Sequence, residues 1–221
     1  MKIAVLGATG NIGTHLLEQA LSGGHEVVAH VRRADALAPR AGLTVVQGAL
    51  DDEAGLTKAF AGADAVVSCV GVPLRAKKPV DLMQRVLPVI TRAAHAAGVQ
   101  RFVLVSAFGV GDTAHKASLP ARLVYRTVVA PIFRDKALAE EILPATGLHW
   151  TTAYPVNLKE APATGSATVK PLDQVGKVPG LPTLPFADAA SALLGLAASG
   201  DLSGQRVLIT TEKGWRPAHH A

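Results

Sequence analysis

Apolar and polar positions change their period twice within the first 33 residues. Lys2–Leu6 is an apolar run rich in branched side chains and bounded by Gly7, which predicts a fully buried strand. Ile12, Leu16 and Ala20, with Leu17 and Leu21, then recur at helical spacing until Gly23-Gly24 ends the pattern. Glu26–Val31 returns to strand. The alternation continues along the chain, with strands expected at Leu43–Gln47, Asp64–Val70, Arg101–Val105, His149–Ala153 and Arg206–Thr210. Helices are expected at Asp52–Phe60, with Asp51 or Asp52 as N-cap, and at Asp81–Ala97, kinked by Pro88 and ended by Gly98. A further helical region opens at Pro120, breaks at Pro131 and resumes over Arg134–Leu143, and a closing helix covers Ala187–Ser199. Apolar strands alternating with helices predict an α/β fold with a doubly wound parallel sheet covered on both faces.

Four stretches lack such a period. Ala34–Arg40 is a short connection, with room for one helical turn before Pro39. Gly71–Pro79 leaves the C-terminal edge of the fourth strand, where such sheets bind ligands. Its Arg75, Lys77 and Lys78 therefore stand near a potential phosphate, although a solvated basic loop is the simpler reading. Ser106–Leu119 is long, polar and glycine-bearing, and loops of that length inside a compact domain are usually functional. Tyr154–Pro185 is proline-rich and nearly aperiodic, and is expected to form a substrate-side cap of loops and short strands within one domain, 1–221. The tail ending in His219-His220 reads as a frayed terminus.

The turn after the first strand carries the clearest chemistry. In Gly7-Ala8-Thr9-Gly10-Asn11-Ile12-Gly13 a glycine stands at every third position. A strand turning tightly into a helix needs a residue free to take positive φ, which suits Gly7. A pyrophosphate resting on backbone N–H groups needs a position without Cβ, which suits Gly10, and close helix–sheet packing suits Gly13. The strand before and the helix and strand after complete a dinucleotide-binding fingerprint in a Rossmann-type fold. No acid stands among Val28-Ala29-His30-Val31, where an NAD-specific fold places the group that holds the ribose 2′-hydroxyl; Arg32 and Arg33 follow instead. One of them, Arg32 in preference, is expected to hold a 2′-phosphate, which makes NADP(H) the expected cofactor.

Composition narrows the remaining classes. The 221 residues are 49% hydrophobic, enough for a substantial single core. The net charge of +5 is scattered and aromatics are only 4%, so no nucleic-acid surface is indicated. The single Cys69 permits no internal disulfide, consistent with a reducing cytoplasm. No apolar run approaches the length of a membrane span and no metal-ligand spacing is present, so a cytoplasmic monomer or homodimer acting on a small molecule is expected.

With the glycine turn, the strand-end Ser106 and Lys136 in hand, the sequence resembles the atypical short-chain dehydrogenase/reductases. It is nearest the NmrA-like group that includes flavin reductase/biliverdin-IXβ reductase. Further carriers are the Arg32 position, Gly48 with Leu50, Gly71, Ser106-Ala107-Phe108, Lys136, Glu140, Gly147-Leu148 and Pro155. The resemblance implies that NADP(H) is held by Gly7, Thr9, Gly10, Asn11, Ile12, Gly13, Arg32, Arg33, Leu50, Gly71, Ser106, Lys136 and Pro155, with Ser106 and Lys136 catalytic. Two departures stand out. Ala49 occupies a position where the family often has an adenine-contacting Asp, with Asp51 as a possible substitute. Ile132 stands four residues before Lys136, where typical members place a tyrosine, and Tyr125 lies eleven residues before that lysine.

Without that phenol, alcohol–ketone interconversion is disfavoured, whereas a flavin or quinone can take a hydride and collect its proton from solvent. An NADPH-dependent reductase of a small planar acceptor is therefore the leading reading. A non-catalytic NADP-binding redox sensor acting through a protein partner is the alternative, and a sugar-nucleotide epimerase or dehydratase the third. Ser106 is placed beside the nicotinamide; Lys136 either bonds the nicotinamide ribose or is a solvated lysine paired at i,i+4 with Glu140. His115 reads as a surface loop residue and Cys69 as core.

Overall fold

The computed structural model describes residues 1–72 and 80–218. Arg75, Lys77, Lys78, His219 and His220 lie outside these described residues. The strands of the main sheet are β1 (Lys2–Leu6), β2 (Glu26–Val31), β3 (Leu43–Gln47), β4 (Ala65–Ser68), β5 (Arg101–Val105) and β6 (His149–Pro155), with β8 (Ala167–Pro171) and β11 (Gln205–Thr211). Their spatial order is β3-β2-β1-β4-β5-β6-β11-β8, parallel except that β8 runs antiparallel to β11. The short strands β7 (Asn157–Lys159) and β10 (Thr183–Pro185) form one ribbon, and β9 (Val175–Lys177) and β12 (Arg216–Pro217) another. Within 154–185, therefore, the longest strand after β6 belongs to the main sheet, and the rest are small ribbons and loops at its side.

Helices cover both faces. α1 (Asn11–Ser22) and α6 (Phe186–Ser199) pack together on one; α2 (Glu53–Phe60), α3 (Leu82–Ala96) and α5 (Ala130–Glu140) form the layer on the other. A shorter α4 (Leu119–Thr127) precedes α5, and a 3₁₀ helix spans Gly111–Lys116. The period-2 pleat divides β1 between the layers. Ile3 and Val5 enter the α1/α6 core with Leu16, Leu17 and Leu193, while Ala4 and Leu6 join Leu56, Met83 and Ile90 beneath α2 and α3. Both faces of the strand are buried, so a near-continuous apolar run was the correct signature for it. No helix among the described residues is long and apolar enough to cross a membrane.

α3 runs unbroken through Pro88. A proline in a helix interior costs about 3 kcal/mol. Burial of Met83, Val86, Leu87 and Ile90, each worth roughly 1.5–3 kcal/mol, offsets it. The start of α3 is held from outside: Asp135 of α5, 1% exposed, accepts hydrogen bonds from Met83 N at 2.9 Å and Gln84 N at 3.1 Å. Asp135→Ala strands two first-turn donors in a buried site. A loss of about 1–3 kcal/mol is expected in chemical denaturation, and an unchanged midpoint would remove this cap from the account.

Candidate functional site

Strand order reverses between β1 and β4, so their loops leave in opposite directions and open a crevice at the carboxyl edge of the sheet. The glycine turn lies in that crevice. Gly7 has φ +74°, and a Cβ there would stand 2.8 Å from the Cys69 carbonyl oxygen. A Cβ on Gly13 would stand 2.1 Å from the Gly7 carbonyl oxygen, and one on Gly10 3.3 Å from the same atom. Gly10 N donates back to Gly7 O at 3.0 Å, which aims the start of α1 out of the turn. Thr9, Gly10 and Asn11 are exposed, Ile12 is half-buried and Gly13 is buried.

The helix starts differ in what caps them. Asp52 accepts from Gly55 N at 3.0 Å at the start of α2, and Asp135 caps α3. α1, like α4 and α5, has neither a side-chain cap nor an acid in its first turn, but α1 opens directly from the glycine turn. Its first-turn N–H groups and the positive end of its dipole are left for an outside anion.

Two hollows extend from this point. One, of about 470 Å³, is lined by Thr9, Val31, Arg32, Arg33 and Ala36. The other, of about 440 Å³, is lined by Arg32, the 47–51 segment and Leu82, Arg85 and Val86 of α3. Arg32 borders both; Arg33 lies 3.7 Å from Asp35. Ala49, Leu50 and Asp51 all line the second hollow. His30, 4% exposed, lies under Gly48 and has no hydrogen-bond partner for Nε2; burial lowers its pKa against the opposing charge of Asp52. Gly71 follows β4 at the surface.

A second group of polar residues gathers at the ends of β5 and β6. Ser106, 6% exposed, donates to Glu140 Oε1, and the Tyr154 hydroxyl donates to Glu140 Oε2 at 2.6 Å. Arg206 Nε donates to the Tyr154 oxygen at 3.0 Å, and its guanidinium pairs with Asp112. Lys136 Nζ donates to the Val105 carbonyl at 3.0 Å. Lys136 is 9% exposed, and burial lowers its pKa despite Glu140 and Asp135. The solvated i,i+4 lysine is thereby corrected: the ammonium is buried and turned to the β5 backbone, while Glu140 is engaged by two hydroxyls. Pro155 ends β6, its carbonyl accepting Phe108 N at 2.9 Å.

Tyr125 is packed against Phe133 and Phe108, with ring centroids 5.4 and 6.4 Å away, so it does not take the place of the tyrosine replaced by Ile132. His115 is exposed, and its carbonyl accepts from Arg122. Burial pushes the Cys69 thiol up to about 12, which leaves it inert at neutral pH. Sequence reasoning missed Arg85, Tyr154, Arg206 and Asp112. Tyr154 had a faint signal, a polar tip at the end of an apolar strand; the others had none.

These features fit a dinucleotide. The tight glycine cradle admits no Cβ at Gly13, the start of α1 is uncapped, and a buried histidine nitrogen lacks a partner beside the second hollow. Residues 7–198 match the NAD(P)H-binding family. Among curated proteins, the isoflavone reductase homolog P3 of Arabidopsis thaliana is 30% identical over 69% of this chain and 47% of its own length. The chain thus spans about half of that relative. Among solved structures, ChuY, an anaerobillin reductase from Escherichia coli O157:H7, has a TM-score of 0.78 at 25% identity, covering 99% of this chain and 100% of that one. A Veillonella parvula short-chain dehydrogenase/reductase in complex with NADP has a TM-score of 0.78 at 14% identity, over 97% of this chain and 96% of its own, a likeness of fold.

Proposed function

This chain belongs to the NAD(P)H-binding family, and from that premise we propose that it is an NADPH-dependent reductase of a small planar acceptor, flavin or quinone in type. The observation that carries the reading is that the carboxyl edge of one parallel sheet carries both the glycine turn with the uncapped α1 start, after β1, and the buried Ser106, after β5. NADPH, when bound, supplies a hydride. The chain's own residues do the rest. First-turn N–H groups of α1 and the Gly7–Gly10 turn receive the diphosphate, and Arg32 the 2′-phosphate. Leu50 and Gly71 border the adenosine and the midpoint of the cofactor, while Pro155 and Ser106 border the reacting ring. Lys136, fixed on the Val105 carbonyl, holds the nicotinamide ribose side.

Similarity to an anaerobillin reductase supports a planar acceptor. Ile132 in place of a phenol counts against an epimerase or dehydratase. Steady-state oxidation of NADPH with FMN, FAD and a quinone tests the proposal. Turnover with at least one is expected. Tight NADPH binding without turnover on any would move the reading to a redox sensor.

A further inference from the structure

We propose that Glu140 is the proton reservoir of this site, passing a proton through Ser106 Oγ to the reduced acceptor and refilling from solvent through the pocket behind it. The inference rests on the reductase reading and supplies the acid that Ile132 leaves missing.

Glu140 stands between two environments. On one side its carboxyl is joined to Ser106 at the end of β5. On the other it lines a pocket of about 280 Å³ together with Thr152, Tyr154 and Arg206. A carboxyl with a hydroxyl on one side and an open pocket on the other has the geometry of a relay.

The charges around it keep the acid form available. Ser106 from β5, Tyr154 from β6, Arg206 from β11 and Lys136 on its own helix all face Glu140 and favour its anion. Burial outweighs them and holds the carboxyl above the usual carboxylate range. Two of the four are already committed elsewhere: Lys136 to the Val105 carbonyl, and Arg206 to Asp112 and the Tyr154 oxygen. Tyr154, its own pKa raised by burial and by Glu140, stays protonated and serves as a fixed donor.

The balance closes with one proton. The acceptor gains a hydride with its electron pair and becomes an anion. In the acid form the Glu140 carboxyl donates to Ser106 Oγ, the reverse of the bond made by the carboxylate, and frees the Ser106 O–H; that O–H gives the anion its proton and breaks as the Glu140 proton replaces it. The Glu140 carboxylate then takes a proton from water in the pocket. Nothing in the protein is oxidised or reduced, and the reach extends to acceptors whose hydride adduct is too basic to wait for solvent.

Glu140→Gln keeps a hydrogen-bonding amide between the two hydroxyls but has no acidic proton. With a conjugated enone, whose hydride adduct is a basic enolate, the unaltered protein is expected to turn over fastest with Glu140 protonated, losing rate as pH rises through its ionisation. Glu140→Gln should lower kcat by about 100-fold, flatten that pH profile and leave the NADPH dissociation constant unchanged. Ser106→Ala should lower kcat comparably while Glu140 still titrates. A second readout needs no cofactor: infrared difference spectra of the unliganded protein should show a carboxylic C=O band titrating above the usual carboxylate range, and Glu140→Gln should lose it. Normal turnover and pH profile in Glu140→Gln, or absence of the band from the unaltered protein, overturns the relay alone. Failure of the unaltered protein to oxidise NADPH with any acceptor overturns the reductase reading and the relay with it.

Discussion

Gly13→Ala is expected to cost this protein both stability and its nucleotide. The new Cβ would stand 2.1 Å from the Gly7 carbonyl oxygen and 2.8 Å from Ala8 Cα. Both are backbone atoms of the turn, so no side-chain rotation relieves the clash, and α1 has to lift from the end of β1. Alanine gains up to about 1 kcal/mol over glycine in helix propensity. Overpacking costs roughly 1–3 kcal/mol even where flexible side chains can give, and more is expected against fixed backbone. The clash therefore wins. Lifting α1 also moves the donors that receive the diphosphate, so NADPH affinity should fall by at least about tenfold. Gly10→Ala is the control for folding alone: its Cβ would meet the same oxygen at 3.3 Å and needs a shift of only tenths of an ångström, so stability should hold even where a Cβ facing the diphosphate weakens NADPH. Thermal unfolding with NADPH titration of both variants gives the comparison. A Gly13→Ala protein that melts and binds like the unaltered one would show that helix–strand contact does not shape the cradle.

The same turn shows why some features were readable in the chain and others were not. β1, β2 and β5 fall on their expected bounds because a parallel strand buried on both faces leaves an unbroken apolar run, and β3, a half-buried edge strand, because Gly42 and Gly48 bracket it. β4 is shorter than Asp64–Val70, covering Ala65–Ser68, although Cys69 N still donates to Leu6 O at 2.9 Å beyond its end. β6 runs two residues past Ala153 to Pro155, since proline cannot donate to a ladder but its carbonyl can still accept, here from Phe108. β8 lacks a period altogether, being half-buried at an antiparallel edge, and only its pairing with β11 makes it a strand. The glycine turn was legible because its glycines lie within seven residues and the structure gives Gly7 and Gly13 a local steric reason. The group around Glu140 was not. Ser106 and Glu140 are 34 residues apart and Arg206 and Asp112 are 94 apart, so only the fold brings them together. Lys136 drew attention through the resemblance, yet burial decides its state, and no local pattern distinguishes a buried lysine from an exposed one.

Arg32 and Arg33 adjoin in sequence, and the structure separates their roles enough to predict which one recognises the 2′-phosphate. Arg32 borders both the 470 Å³ hollow beside Thr9 and the 440 Å³ hollow beside Leu50, so its guanidinium can reach a phosphate on the ribose between them. Arg33 borders only the first and leans toward Asp35, with both side chains mostly exposed. Such a pair holds its members loosely, but it directs Arg33 toward a carboxylate of its own. A charge-assisted bond to phosphate is worth about 1.5–3 kcal/mol. Arg32→Ala should therefore weaken NADPH by about 10–150-fold. NADH has no phosphate to lose and should change little, so the preference between the two collapses. Arg33→Ala should show a smaller loss, one that added salt erases as it screens an exposed charge. Calorimetric titration of both coenzymes into the three proteins at two salt concentrations reads all of this directly. An NADPH-to-NADH ratio that survives Arg32→Ala intact would take the 2′-phosphate away from Arg32, and a ratio lost in Arg33→Ala instead would assign it to the neighbouring side chain.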